Sequence, residues 1–112
     1  MKTKLSFLAL FSVILILTSC SKDEQPVVSK VTYNKDAKAV FVSNCSPCHM
    51  AGGANPNKWD DYNTAKTKID AILDRVNRDV AAAGHMPKGG PKLPAATIDI
   101  LTQWKADGLL EN

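Results

Sequence analysis

Two cysteines and a histidine in the segment 44–49 form the pattern that most directly suggests chemistry. Cys45 and Cys48 are separated by two residues, and His49 follows at once, which gives the motif C-x-x-C-H. Thiols at this spacing can form thioethers with the two vinyl groups on one edge of a porphyrin, and the next side chain then lies beneath the iron. The motif therefore predicts one covalently bound haem c, attached through Cys45 and Cys48, with its iron bound by His49.

Two other kinds of site use similar residues. Structural zinc usually needs four nitrogen or sulfur ligands, and Cys45, Cys48, His49 and His85 supply that number, but the spacing of the histidines fits no common zinc finger. The sequence of residues 45–48 also resembles a thiol–disulfide redox pair. That motif belongs between a strand and a helix, and no strand pattern precedes it here. The haem interpretation is therefore preferred.

The second axial ligand is sought among the remaining methionines and histidines. Without the N-terminal segment these are Met50, Met86 and His85, and Met50 adjoins His49 on the proximal side. The distal ligand is then Met86 or His85, or is absent. Pro87 favours an extended backbone at Met86, and the neighbouring glycines let the loop approach a haem face closely. We predict Met86 as the second iron ligand, and we expect His85 to point outward or to form a hydrogen bond near the haem rim.

The N-terminus has the pattern of an export signal. Lys2 and Lys4 precede an apolar run over residues 5–17 that is short for a membrane span. The four residues ending in Cys20 resemble a bacterial lipobox, so residues 1–19 are predicted to be a lipoprotein signal peptide and Cys20 the lipidated residue. An ordinary cleaved signal and an uncleaved anchor helix are the alternatives. The prediction places the protein in the cell envelope, lipid-anchored to a bacterial membrane and either periplasmic or surface-exposed.

The cysteine count and the composition agree with this organisation. The chain has three cysteines, and assigning Cys20 to lipid and the other two to haem leaves none over. Residues 20–32 are predicted to form a flexible tether and residues 33–112 a single haem domain. The whole chain carries 14 basic and 11 acidic side chains without a basic stripe, so the charge pattern does not suggest a nucleic-acid partner.

Helical patterns flank the predicted haem residues. The first helix should begin near Asn34, as N-cap, or near Asp36. It should end at the haem turn, the segment 45–49 that carries the C-x-x-C-H motif. A second helical region, either one helix or two with a bend, is predicted over residues 61–80, and a third helix over residues 95–106. Three further side chains could contact the haem: Trp59 at its rim, and Arg75 and Arg78 at its propionates.

The chain resembles a small class I cytochrome c of the kind found in bacterial lipoproteins. This resemblance implies an all-α domain wrapped around one haem, with the N- and C-terminal helices crossing nearby, and electron exchange with redox partner proteins. The first helix lacks the glycine often found at that crossing, so the crossing should be slightly wider or use Ala37 and Ala39. The matching residues are Val40-Phe41, the C-x-x-C-H motif, Met86-Pro87, Ile98, Leu101, Trp104 and Gly108.

These observations predict a membrane-anchored electron carrier with histidine and methionine as axial ligands. With both positions on the iron filled by His49 and Met86, no open site remains for a substrate, which argues against an enzyme. The competing interpretation is a haem-based sensor or enzyme domain whose sixth position is open or displaceable. A structural zinc module is the weaker alternative.

Overall fold

The computed structural model describes residues 28–112, which lie in an all-helical arrangement. The predicted signal peptide, Cys20 and the first part of the tether lie outside the described residues. Within residues 28–112 no strand occurs, and none of the helices has the length and apolar character needed to cross a membrane. The elements in chain order are a π-helical turn at Tyr33–Ala37, α1 at Lys38–Cys45, α2 at Tyr62–Asn77 and α3 at Ala95–Ala106.

The first helical segment is capped by Thr32. The Thr32 hydroxyl accepts a hydrogen bond from the Lys35 backbone N–H at 3.4 Å, and the Thr32 backbone N–H donates to the Asp36 carboxylate at 2.9 Å. These reciprocal bonds satisfy donors that have no partner within the helix. The prediction of Asn34 as N-cap is therefore wrong; its side chain instead donates to Asn112 near the C-terminus.

Helix α2 is a single helix, shorter than the predicted region 61–80. Asp61 caps it, accepting hydrogen bonds from the side chain and the backbone N–H of Thr64, and these bonds lower the pKa of the Asp61 carboxyl. The predicted extension to Val80 is wrong, because the helix ends at Asn77 and Val80 is exposed. The apolar stripe that α2 does bury consists of Ala65, Ile69, Ile72 and Val76.

Helix α3 occupies the predicted residues and supplies the centre of the core. Its buried face carries Ile98, Leu101 and Trp104, and the helix packs against α2, the π-helical turn and α1. Trp104 is fully buried, with its ring centroid 5.7 Å from that of Tyr33 and 6.2 Å from that of Phe41. This aromatic cluster joins the two ends of the domain, as the predicted crossing of terminal helices requires.

A small residue lies where the first helical segment meets α3. Ala37 is completely buried in the π-helical turn that packs against α3, whereas Ala39 is exposed on α1. Of the two alanines predicted at the crossing, only Ala37 is therefore in the core. Its methyl side chain lets the turn lie against α3 without a glycine.

The C-terminal residues close the fold over its first helical segment. The Leu110 carbonyl accepts hydrogen bonds from the Tyr33 N–H and the Trp104 indole, both at 2.8 Å. The Asp107 carboxylate accepts one from the Val31 N–H at 2.7 Å, and chiefly this bond lowers the pKa of the Asp107 carboxyl. These contacts fix both termini of the domain on the side that carries the aromatic cluster.

Candidate haem site

The C-x-x-C-H turn begins where α1 ends. Cys45 is the last residue of α1, and Ser46 leaves the helix in an extended conformation. The chain then turns back, so that the His49 N–H donates to the Cys45 carbonyl at 3.0 Å, and the Asn55 N–H donates to the Cys48 carbonyl at 3.0 Å. The rigid helix end thus positions both thiols and the histidine.

Gly53 packs directly against this turn. A Cβ atom at that position would overlap with the carbonyl oxygens of Pro47 and Cys48, so only glycine fits there. The Gly53 carbonyl also accepts a hydrogen bond from Lys58 at 2.7 Å. The sequence indicated no more than a loop at Gly52-Gly53, because two adjacent glycines do not show which of them touches the haem turn.

The imidazole of His49 is held by a hydrogen bond and by stacking. Its Nδ1 lies 2.9 Å from the Asn57 carbonyl oxygen, which can only accept, so Nδ1 carries the hydrogen and Nε2 keeps its lone pair for a metal. The Trp59 ring stacks on the imidazole at a centroid distance of 4.7 Å and an interplanar angle of 12°. The geometry suits an iron ligand whose ring orientation is fixed in advance.

Residues that position His49 are themselves fixed. The Asn55 side chain accepts from the Asn57 N–H at 2.9 Å, and the Tyr33 hydroxyl donates to the Trp59 carbonyl at 2.7 Å. Burial, with smaller contributions from nearby carboxylates, raises the pKa of Tyr33 to about 12, so its hydroxyl stays protonated as a donor. The backbone role of Asn57 could not be predicted, because a carbonyl acceptor has no signature in the side-chain sequence.

The four predicted haem-site residues line one cavity of about 710 Å³, within the usual range for ligand and cofactor sites. Cys45 is the last residue of α1, Cys48 and His49 lie in the turn after it, and Met86 comes from the loop after α2. A largely apolar wall and a cofactor-sized space fit a haem. Other apolar lining residues are Ala71, Ile72, Val76, Pro87 and Leu93, and the charged ones are Lys68, Arg75 and Lys88.

The other candidate ligands do not line this cavity. Met50 is partly buried and packs against the core. His85 is only 6% exposed and borders a smaller, adjoining space, which shares Arg75, Met86 and Lys88 with the larger cavity. Of the two expectations for His85, the outward-facing orientation is wrong, because the side chain is buried. It is instead engaged in a hydrogen bond, with Nδ1 3.0 Å from the Arg78 carbonyl oxygen. Of the two arginines that the sequence analysis considered as propionate contacts, Arg75 lines the cavity and Arg78 does not.

The geometry does not favour the alternative chemistries of the cysteines. Among residues 28–112 no three His, Cys, Asp or Glu side chains are grouped to hold a metal ion. Burial raises the pKa of the Cys45 thiol to about 11, and its position at the C-terminal end of α1 adds a dipole that opposes negative charge. A reactive redox cysteine needs the opposite, a stabilised thiolate.

Comparison with known proteins agrees with the site. A family model described as cytochrome c oxidase, cbb3-type, subunit III, matches residues 34–104. Cytochrome c6 from Microcystis aeruginosa is 29% identical over 75 residues, which cover 62% of this chain and 89% of that protein. No solved structure is a significant match.

The all-helical fold, the cavity and the similarity to known cytochromes together define this chain as a class I c-type cytochrome. The chain belongs to the family whose model matches it, the cbb3-type subunit III cytochromes. Its cofactor is therefore haem c with iron, and its activity is electron transfer with redox partner proteins rather than enzymatic turnover. The family also places it outside the cytoplasm.

Proposed function

We propose that this cytochrome is a membrane-anchored electron carrier whose single haem is bound by Cys45 and Cys48 and ligated by His49 and Met86. The observation that carries the proposal is the lining of one cavity by all four residues, although Met86 is far from the other three in the sequence. Both axial positions are then occupied by protein, as an electron carrier requires.

The roles of the individual residues follow from their surroundings. The haem, when bound, supplies an iron that gains and loses one electron. His49 offers Nε2, because Nδ1–H is engaged by the Asn57 carbonyl and the ring is stacked on Trp59. The Met86 thioether favours the ferrous state and so a high potential. The cationic side chain of Arg75 in the cavity wall offers a charged hydrogen-bond donor for a carboxylate.

The sixth position on the iron can be tested with carbon monoxide. Because Met86 should already occupy that position, the reduced wild-type protein is expected to bind carbon monoxide slowly and incompletely at neutral pH. Optical spectra of the dithionite-reduced protein under carbon monoxide measure this, with the Met86→Leu variant as the control that should bind readily. Rapid stoichiometric binding by the wild type would instead favour a haem sensor with an open site.

The proposed anchor is an acylated Cys20, followed by the tether of residues 20–32. The lipobox-like end of the apolar run supports it, and a Cys20→Ser protein should be released from membranes into the soluble fraction. Fractionation followed by haem staining measures the release, and Ser21→Ala is the matched control that should stay with the membrane. Retention of the Cys20→Ser protein in the membrane fraction, with an unmodified N-terminus in the wild type, would refute the anchor.

A further inference from the structure

His85 is a buried polar side chain directly before the proposed ligand Met86. Its Nδ1 lies 3.0 Å from the Arg78 carbonyl oxygen, just beyond the end of α2. A carbonyl only accepts, so Nδ1 carries the hydrogen and donates it. The other ring nitrogen, Nε2, is buried and has no hydrogen-bond partner among the described residues.

The surrounding loop is attached to α2 by several more hydrogen bonds. The Arg75 guanidinium donates to the Gly84 carbonyl at 3.2 Å, and that of Arg78 donates to the Ala83 carbonyl at 2.6 Å. In the other direction, the Met86 N–H donates to the Arg75 carbonyl at 3.2 Å. The loop therefore lies on the same helix that provides one wall of the haem cavity.

Gly84 shows how closely the loop approaches that helix. Its φ is +77°, and a Cβ atom there would overlap with the guanidinium groups of Arg75 and Arg78. The positive φ is the reason that favours glycine here, because the flexible guanidinium ends of both arginines can shift away from a Cβ atom. His85 follows directly, and its side chain donates to the carbonyl of Arg78, the residue just after the end of α2.

The unpartnered Nε2 is evidence that His85 has a hydrogen-bonding role and does not merely fill space in the core. Burying a polar atom without a partner costs stability, and an apolar side chain of similar size would avoid that cost. Only one ring nitrogen of His85 forms a stabilising hydrogen bond, namely the Nδ1 that contacts the Arg78 carbonyl. That bond fixes the backbone one residue before Met86.

We propose that His85 is a positioning residue for Met86: by donating Nδ1–H to the Arg78 carbonyl, it holds the loop so that Met86 stays in the wall of the haem cavity. This inference rests on the proposed ligation by Met86. His85 is not itself an iron ligand in this account, because Met86 lines the cavity and His85 does not.

Competition with imidazole for the ferric iron tests the proposal. His85→Asn keeps an N–H donor near the position of Nδ1, whereas His85→Leu keeps side-chain volume without a donor. Losing one buried hydrogen bond should lower the imidazole concentration needed for half-displacement of Met86 by about tenfold in His85→Leu. In His85→Asn this imidazole concentration should change by less than about threefold, which corresponds to less than half of the free energy of one such hydrogen bond.

The readout is bleaching of the long-wavelength sulfur-to-iron band during the titration. Lys92→Ala is the matched control, because Lys92 donates to the Asn77 carbonyl at the same helix end and should leave the titration unchanged. If His85→Leu does not fold, His85→Gln, which moves the donor to the ε position, should titrate more easily than His85→Asn.

The outcomes distinguish this inference from the proposed function. A wild-type protein without the band would refute ligation by Met86. If the wild type has the band, ligation by Met86 stands. The positioning role would then be overturned if the band of His85→Leu resisted imidazole as well as that of His85→Asn, or better.

Discussion

Replacement of Met86 by leucine is expected to abolish the long-wavelength sulfur-to-iron band of the ferric protein and to lower the midpoint potential. Leucine conserves volume, so the change removes the sulfur while filling a similar space. The thioether stabilises ferrous iron, and axial ligands tune haem potentials over a range of about 0.8 V, so we expect a decrease of roughly 0.1–0.3 V. Optical spectra and a potentiometric titration measure the two effects.

Met50→Leu is the matched control for this prediction. Met50 adjoins His49 but does not line the cavity, so its replacement should leave both the band and the potential close to those of the wild type. Loss of the band in Met50→Leu, or its survival in Met86→Leu, would assign the sixth position to a different residue.

When Cys45 and Cys48 are both replaced by alanine, no haem is expected to stay attached to the polypeptide under denaturing conditions. The domain is also expected to become disordered. A chain of this size has a small core of its own, and a cavity of about 710 Å³ with an apolar wall would lose its covalently fixed occupant. Haem staining after denaturing electrophoresis measures attachment, and circular dichroism measures helix content.

Single variants and a neighbouring substitution make this experiment specific. Cys45→Ala and Cys48→Ala should each retain haem through the remaining thioether when attachment still proceeds, and Ser46→Ala should behave like the wild type. A double variant that keeps covalent haem, or that keeps wild-type helix content without any haem, would contradict the expectation.

Local patterns made most of the fold predictable. The C-x-x-C-H motif lies within one turn, so the sequence alone brings Cys45 and His49 together. The bounds of α3 follow from Pro94 before it and Gly108 after it, with Gly108 at a φ of +97°. Such signals depend on neighbours in the sequence and need no knowledge of the tertiary structure.

The end of α2 was not predictable for the opposite reason. The apolar pattern of the sequence continues to Val80, but the helix ends at Asn77, and the carbonyls at its end receive donors from distant segments. The Arg75 carbonyl accepts the Met86 N–H, and the Asn77 carbonyl accepts Lys92 Nζ. Tertiary partners therefore decide where the helix ends, and sequence periodicity cannot show them.

The choice of the first N-cap had a similar cause. The prediction placed the helix start near Asn34 or Asp36, with Asn34 as N-cap, and Thr32 is an equally suitable residue type. The bond from Thr32 to Asp36, together with the bonds from Tyr33 and Asn34 to the C-terminal residues, places the helix start earlier. Contacts between the two chain ends decided between equivalent local signals.

The central claim is that Cys45 and Cys48 carry the haem covalently, and mass spectrometry of one tryptic peptide tests it most directly. Cleavage after Lys38 and Lys58 releases residues 39–58, which contain both cysteines and His49. The account predicts that the wild-type peptide has the mass of its residues plus one haem, with neither thiol alkylated by iodoacetamide. A peptide of unmodified mass that takes up two alkyl groups would contradict it.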